Sequence, residues 1–516
     1  MSDVNPHETV LFLKPTKTII AIILTIFLLA GVAVRLIDVT DLPLDFAVTR
    51  QLHSLIMARG IYYQMDTPET RALPQDLREF AITTGKSEPQ IEPPIMEYLT
   101  AYTYRLLRGE NIMVPRLFSI FFWVIGGLPL FLMSRKMMSI NGAFAALAVY
   151  LFIPFGVFAS RAFQPDPLMV MCILWALYFQ IQWAHDDRLK WAILAGAFTG
   201  LAVLVKATAA YFVGIPLVGL VLSTGIKNWI KNSHVYLMAG LALLPAVIFN
   251  VLSATIGGNA ESIFGARFFP NLYSDPKWYL KWLILVKSVI NFFPLMIGLL
   301  SFFLIRLKTH RIFYFCLWLG YLLFGFTFAY HIYTHNYYHL PLIPIIALGF
   351  GFLFSLVFTR LEEINSRWLS RILIIVVLLF SLGLCVQKIR GDLVSASYQH
   401  EAKYWTQLGE KIGRNSSVIA LTHDYGYRIS YWGYINPKLW TTLGDQTVKA
   451  LVGATDPAFE KLFAQETAGR NYFLVTLIGD FNSQVDLHDY LFAHYPYTEG
   501  EGYYLFDLAH PLETVK

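Results

Sequence analysis

A helix that crosses the hydrocarbon core of a bilayer needs about 20 apolar residues, and this chain supplies such a run repeatedly between Thr18 and about residue 388. Read in that window, about eleven spans emerge, at roughly 18–37, 112–133, 140–159, 166–184, 190–205, 208–224, 235–255, 283–305, 312–330, 339–359 and 370–388. The fifth and sixth are divided only by Lys206-Ala207-Thr208. Charged residues make up 15% of the 516-residue chain, against about 25% in soluble domains, so lipid is the expected solvent for most of its surface. Lys14 and Lys17 precede the first run. That run is longer than the apolar region of a signal peptide, about 7–15 residues, so a retained first helix is expected.

Loop charges set the orientation. Lys14 and Lys17, Arg135 and Lys136, Arg188 and Lys190, Lys227 and Lys231, Arg306 with Lys308 and Arg311, and Arg360 with Arg367 and Arg371 fall on alternate connections. The positive-inside rule places those connections, and the N-terminus, in the cytoplasm. A multi-pass protein of the bacterial inner membrane is the expected setting. Two long hydrophilic segments then lie outside, at about 38–111 and after about 390.

The first outer segment mixes apolar positions with Arg50, Gln51, His53 and Arg59 between Phe46 and Arg59, the pattern of an amphipathic helix at the interface. Ile95 to Leu107 is a second candidate, entered through Pro93-Pro94. Beyond residue 390 the long apolar runs stop. Short β-branched runs at Val418–Thr422, Tyr472–Ile478 and Tyr503–Phe506 alternate with helix-like stretches at about 398–412, 456–467 and 484–493, which predicts a small α/β domain. The expected organisation is therefore an α-helical membrane domain over 1–389, with interfacial helices in 38–111, followed by an extracytoplasmic α/β domain over 390–516.

Ionisable groups near a membrane are costly, so their placement is informative. Here they gather at the outer ends of the spans: Asp45, Glu92, Glu97, Arg161, Asp166, Lys206, Arg267, Asp275, Lys281, Lys287, and the histidines 331, 335 and 339. Acids and bases from separate spans thus reach one level. Transfer from a lipid phosphate needs a cation facing the departing phosphate and a carboxylate to take the proton of a weakly nucleophilic hydroxyl or amine. The net charge of +5 without a basic tract gives no sign of nucleic acid as a partner. Cys172, Cys316 and Cys385 sit in apolar runs with neither metal nor disulfide spacing.

Gln90-Ile91-Glu92-Pro93-Pro94-Ile95, then Arg105 to Asn111 and Arg116-Leu117-Phe118-Ser119, resembles the first-loop pattern of the protein O-mannosyltransferase and aminoarabinose transferase families, members of the GT-C glycosyltransferase superfamily. Arg161-Ala162-Phe163-Gln164-Pro165-Asp166-Pro167 is similar to their second outer-loop aspartate motif, Gly200 to Lys206 to the segment that follows, and Tyr337-Tyr338-His339-Leu340-Pro341 to a late outer-turn motif. The motifs run in order over about residues 20–360. The resemblance implies a GT-C-like fold of about 11 transmembrane helices. It implies transfer of a sugar from a polyprenyl-phosphate donor to a lipid, glycan or protein acceptor, with inversion and without a required metal or other cofactor. Asp45 matches the aspartate proposed as catalytic base, although Phe46 stands where many relatives have Glu, which leaves Asp38 and Asp41 as rivals. Asp166 is the second candidate acid. Glu92, Lys206, Arg267, Lys287, Tyr338 and His339 are the candidate substrate-binding residues.

Each residue also has a plainer role. Asp45 would suit a helix cap, Asp166 a cap before Pro167, and Lys206 a cation snorkelling from a helix end. Arg267 and Lys287 would suit surface pairing with Glu261 or Asp275. Tyr337 and Tyr338 would suit an interfacial aromatic belt, and the histidines interfacial hydrogen bonding. Two rival functions are a lipid-linked saccharide transporter, for which repeated halves and midplane charges are expected, and a non-enzymatic membrane protein whose outer domain binds a partner.

Overall fold

The structure is a computed structural model that describes residues 16–223, 225, 230–255, 268–362, 367–451, 453–454 and 457–512. It divides into two compact units: residues 1–40, 89–96 and 113–395 form the first, and residues 41–88, 97–112 and 396–516 the second.

In the first unit, helices stand where the apolar runs place them: Lys17–Arg35, Met113–Met137, Asp166–Asp186, Leu189–Val205, Ala209–Ser223, Ser233–Thr255, Lys308–Thr327, Leu342–Glu362 and Arg367–Leu393, while the run expected as one span at 140–159 is broken before Pro154 into Ile140–Phe152 and Pro154–Ala159. Among the described residues, six helices are long and apolar enough to cross a membrane, and Ile140–Phe152, Leu189–Val205 and Ala209–Ser223 are shorter apolar helices. Small residues let these helices close on one another, as membrane packing favours. A Cβ on Gly142 would lie 2.4 Å from the carbonyl oxygen of Gly351, so the 140–152 and 342–362 helices cross at backbone contact.

The run expected as one span at 283–305 is instead a bent pair. Pro276–Ile290 and the helix beginning at Phe292 meet at 96°. The break is at Asn291, whose φ is 62°. With ψ at 164° it lies outside the helical and extended regions, in a conformation that a side-chain-bearing residue keeps only where its surroundings enforce it, so the helix cannot continue through it.

The second unit begins with first-loop helices. Val48–Gln64 is buried around nearly its whole circumference, Gln51 to Ala58 included. Protein covers it, so it is not the half-exposed interfacial helix the sequence predicts. It packs on Gln75–Ser87 through Gly60 and Gly85, where an added Cβ on either would stand 2.8 Å from the other's Cα. Ile95–Leu107 does keep an exposed apolar stripe of Tyr98, Tyr102 and Leu106. Because backbone cannot yield as a side chain tip can, Gly60→Ala is expected to destabilise this unit by about 1–3 kcal/mol. Thermal unfolding of the full chain in detergent checks this, with Gly109→Ala, whose Cβ meets nothing within 4 Å, as the unaffected control.

The C-terminal residues of this unit form a five-stranded sheet of order β2-β1-β3-β5-β4, where β1 is Val418–Leu421, β2 Lys438–Leu439, β3 Tyr472–Val475, β4 Tyr497–Gly500 and β5 Tyr503–Asp507. β2 and β3 flank β1 in parallel, and β5 runs antiparallel to β3 and β4. Ile419, Leu421, Phe473, Val475 and Phe506 meet Trp440, Phe463, Phe481 and Leu491 in its core. The helices Gln399–Ile412, Phe459–Thr467 and Val485–His494 lie where the composition predicts them. β2 spans two residues, and three of the four residues of β4 are exposed, so neither carries a hydrophobic alternation readable in sequence. The expected strand at 472–478 ends at Val475, and a helix begins at Ile478.

Buried ionic contacts tie the first-loop helices to this domain. Arg59 Nε donates to Glu110 Oε2 at 2.9 Å, and its guanidinium lies 3.6 Å from the Tyr431 ring centroid. His53 Nδ1 lies 2.7 Å from Glu88 Oε2, to which the Tyr427 hydroxyl donates at 2.9 Å. Burial raises the Tyr427 hydroxyl well above the usual phenol range, and the Glu88 carboxylate adds to the effect.

Candidate active site

Two helix ends build the polar centre of the first unit. Asp166 is the first residue of Asp166–Asp186, and Lys206 closes Leu189–Val205 in extended conformation. An acid at a helix N-terminus and a cation at a C-terminus each suit the helix dipole. Lys206 Nζ donates to both Asp166 oxygens, at 2.9 and 3.1 Å, and the two residues are 5% and 1% exposed. The capping alternative for Asp166 does not hold: Pro165 is the N-cap and makes no side-chain capping bond. Nor does Lys206 snorkel to the surface.

The turn before Leu342–Glu362 supplies aromatic walls. Lys206 Nζ lies 5.3 Å from the Tyr337 ring centroid and 5.1 Å from that of Tyr338, within cation–π range. Tyr338 stacks on Phe324 at 5.7 Å and on His331 at 5.2 Å, and His331 stacks on His335 at 5.1 Å. His339 is buried, with Nε2 2.9 Å from the Ile332 carbonyl and Nδ1 2.8 Å from the Tyr321 hydroxyl. Trp282 Nε1 donates to that same hydroxyl at 3.0 Å. Both His339 nitrogens are thus engaged, and the ring fixes the turn that carries Tyr337 and Tyr338.

Three buried arginines surround the end of the first helix, a feature the sequence reading did not assemble. Arg35 Nε donates to Ser160 Oγ at 2.7 Å, Arg116 to the Val39 carbonyl at 3.1 Å, and Arg161 to the Asp38 carbonyl at 2.8 Å. Asp38 sits at φ 52°. The signal was present in two motifs, since Arg116 and Arg161 open the segments Arg116-Leu117-Phe118-Ser119 and Arg161-Ala162-Phe163-Gln164. Glu92 is half-buried in this unit and Lys287 is exposed on Pro276–Ile290, close before the bend. Arg267 lies outside the described residues.

Asp45 belongs to the second unit, half-buried between buried Leu44 and Phe46. Its segment is held closely. Gln51 Nε2 donates to the carbonyls of Pro43 and Phe46, at 3.2 and 2.5 Å. The Asp41 carboxylate accepts from the Tyr398 N–H, 3.1 Å from both oxygens. Thr49 Oγ1 lies 3.4 Å from Asp424 Oδ1. Asp45 is not the helix cap, because Ala47, at φ 44°, is the N-cap and no side chain caps there. Among the described residues no group of three or more His, Cys, Asp or Glu side chains could hold a metal ion.

Residues 91–251 match the sequence model of a family described as dolichyl-phosphate-mannose-protein mannosyltransferase. No curated protein matches the chain. Among solved structures, ArnT from Cupriavidus metallidurans bound to undecaprenyl phosphate superposes with a TM-score of 0.61 at 13% identity, over 95% of this chain and 98% of that one. The archaeal oligosaccharyltransferase AglB from Archaeoglobus fulgidus, in complex with an inhibitory peptide and a dolichol-phosphate, superposes with a TM-score of 0.58 at 12% identity, over 96% of this chain and 75% of that one. The chain therefore has the fold of the GT-C glycosyltransferase superfamily and resembles its protein mannosyltransferase and ArnT members.

Proposed function

We propose that this protein transfers a sugar from a polyprenyl-phosphate carrier to an acceptor at the extracytoplasmic face of the bacterial inner membrane, with its N-terminus in the cytoplasm. The observation that carries the reading is Lys206, a buried ammonium held between the Asp166 carboxylate and two tyrosine faces. A cation fixed in a dry setting stabilises developing negative charge better than one in water. In the reaction the acceptor oxygen or nitrogen bonds to the anomeric carbon as the bond from that carbon to the phosphate oxygen breaks. The electron pair leaves with the carrier phosphate, and the acceptor proton passes to Asp45. Lys206 faces the phosphate, and Arg267 and Lys287 are given the same role from their places in the sequence alone. Asp166 aims Lys206, because its two oxygens are the partners of the ammonium. Glu92 and Tyr338 contact the sugar, and His339 sets Tyr338. No cofactor enters this scheme.

The test is incubation of the purified protein with a panel of polyprenyl-phosphate sugars together with lipid, glycan and peptide acceptors, scored for release of free polyprenyl phosphate. Release with at least one donor is expected, and its absence with every donor would end the reading. A bent helix pair is also a transporter feature, and the same assay separates the two, because transport moves the carrier without freeing its phosphate.

A further inference from the structure

The C-terminal sheet has a place where its connections change direction. β1 is followed by β2 on one side, and the chain then crosses to β3 on the other. In open α/β sheets such a point opens a crevice beyond the carboxyl ends of the strands, and ligands bind there. Here β1 and β3 deliver side chains to that end. Thr422 Oγ1 and Thr476 Oγ1, one residue past β1 and β3, lie 2.8 Å apart, and His423 Nδ1 lies 2.9 Å from Thr476 Oγ1. After β1, Asp424 and Tyr425 both take left-handed conformation, at φ 51° and 54°. Two successive non-glycine residues in that region are strained, and such strain persists where surrounding contacts enforce it. Those contacts are Arg428 Nε to Asp424 Oδ2 at 2.5 Å and the Tyr425 hydroxyl to Asp445 Oδ1 at 3.0 Å.

The strained turn presents an aromatic ring. Tyr425 is 48% exposed although its hydroxyl is anchored. Leu439 and Leu443 are exposed beside it: a Cβ on Gly426 would lie 3.4 Å from Leu439, and Leu443 begins the helix that carries Asp445. Carboxylates edge this apolar surface. Asp445 is fixed by Thr442, and Asp480 accepts from the Leu443 N–H at 3.1 Å and from Gln484 Nε2 at 2.6 Å. A carboxylate has about four lone-pair positions, so each retains acceptor capacity while already held rigid.

We propose that this surface is a binding subsite for the carbohydrate part of a glycan acceptor. A pyranose offers an apolar face of C–H groups, which stacks on an aromatic ring, and a rim of hydroxyls, which donate to carboxylates. Tyr425 with Leu439 and Leu443 supplies the first element, and Asp445 and Asp480 the second. The subsite adjoins the segment that bears Asp45, since Asp424 Oδ1 lies 3.4 Å from Thr49 Oγ1, four residues beyond Asp45. Its role as an acceptor site rests on the sugar-transfer reading above.

The experiment measures retention of the fluorescently labelled full-length protein on an array of oligosaccharides and Ser/Thr-containing peptides, with no donor present. Wild type is expected to bind a subset of the oligosaccharides. Tyr425→Ala weakens that binding about tenfold, and Tyr425→Phe, which keeps the ring, stays within about threefold. Thermal unfolding of each variant identifies any loss of folding, and Tyr425→Phe then decides. Failure of wild type to bind any oligosaccharide, equal binding by Tyr425→Ala, or Tyr425-dependent binding of peptides in place of glycans would overturn the proposal. Because donor is absent, binding without carrier release in the transfer assay sinks only the catalytic reading, and carrier release without glycan binding sinks only this subsite.

Discussion

Lys206→Met is expected to lower the release of polyprenyl phosphate at least about 100-fold, the order of effect seen when a preorganised charge-stabilising group is removed. It also leaves Asp166, 1% exposed, as a carboxylate without its cation. Breaking a buried pair from one side destabilises by about 3–5 kcal/mol, so thermal unfolding in detergent falls as well. The two effects separate in the Asp166→Asn/Lys206→Met double variant. Neither remaining group is charged, so stability returns toward wild type, while turnover stays at the Lys206→Met level because the phosphate still lacks its partner. A double variant with turnover within tenfold of wild type would make the ion pair a structural element and leave the phosphate without Lys206.

Asp45→Asn carries the second large effect. Loss of a general base lowers rates about 10²–10⁴-fold, and Asn preserves the size and much of the hydrogen bonding of Asp. The rivals behave differently. Asp41 spends its carboxylate on the Tyr398 N–H, and an Asn oxygen still accepts that bond, so Asp41→Asn is expected to cost less than about tenfold. Asp38 adopts a left-handed backbone and offers its carbonyl to Arg161. Asn is at home there too, and Asp38→Asn is likewise expected to be mild. Carrier release measured in the three variants side by side assigns the base. Collapse in Asp38→Asn or Asp41→Asn with Asp45→Asn active would move the role to that residue.

The residues show why parts of the molecule were readable in advance. Helices 17–35, 113–137 and 166–186 follow from long apolar runs, because a backbone in lipid must satisfy its own hydrogen bonds. β1, β3 and β5 follow from runs such as Val-Ile-Ala-Leu and Tyr-Phe-Leu-Val. The break at Asn291 falls in a run that also holds Lys287, Ser288 and Pro294, and neither its position nor its 96° angle could be read from that run. The burial of Val48–Gln64 could not be foreseen, since its partner residues include the Tyr431 and Glu110 contacts of Arg59, far along the chain.

The same division holds for chemistry. Sequence alone determined that the chain is helical and suited to membrane, that its charges collect at span ends, and which acids and cations are candidates for the chemistry. Those properties are local, set by hydropathy and by the cost of burying charge. Only the tertiary structure decided that Asp166 belongs to Lys206 across 40 positions of chain, that His339 spends both nitrogens on holding a turn, and that the strained turn at Asp424 and Tyr425 leaves the Tyr425 ring exposed. Pairing depends on which helix ends and strand ends are brought within a few ångströms, and that distance is a property of packing, which no local pattern of residues encodes.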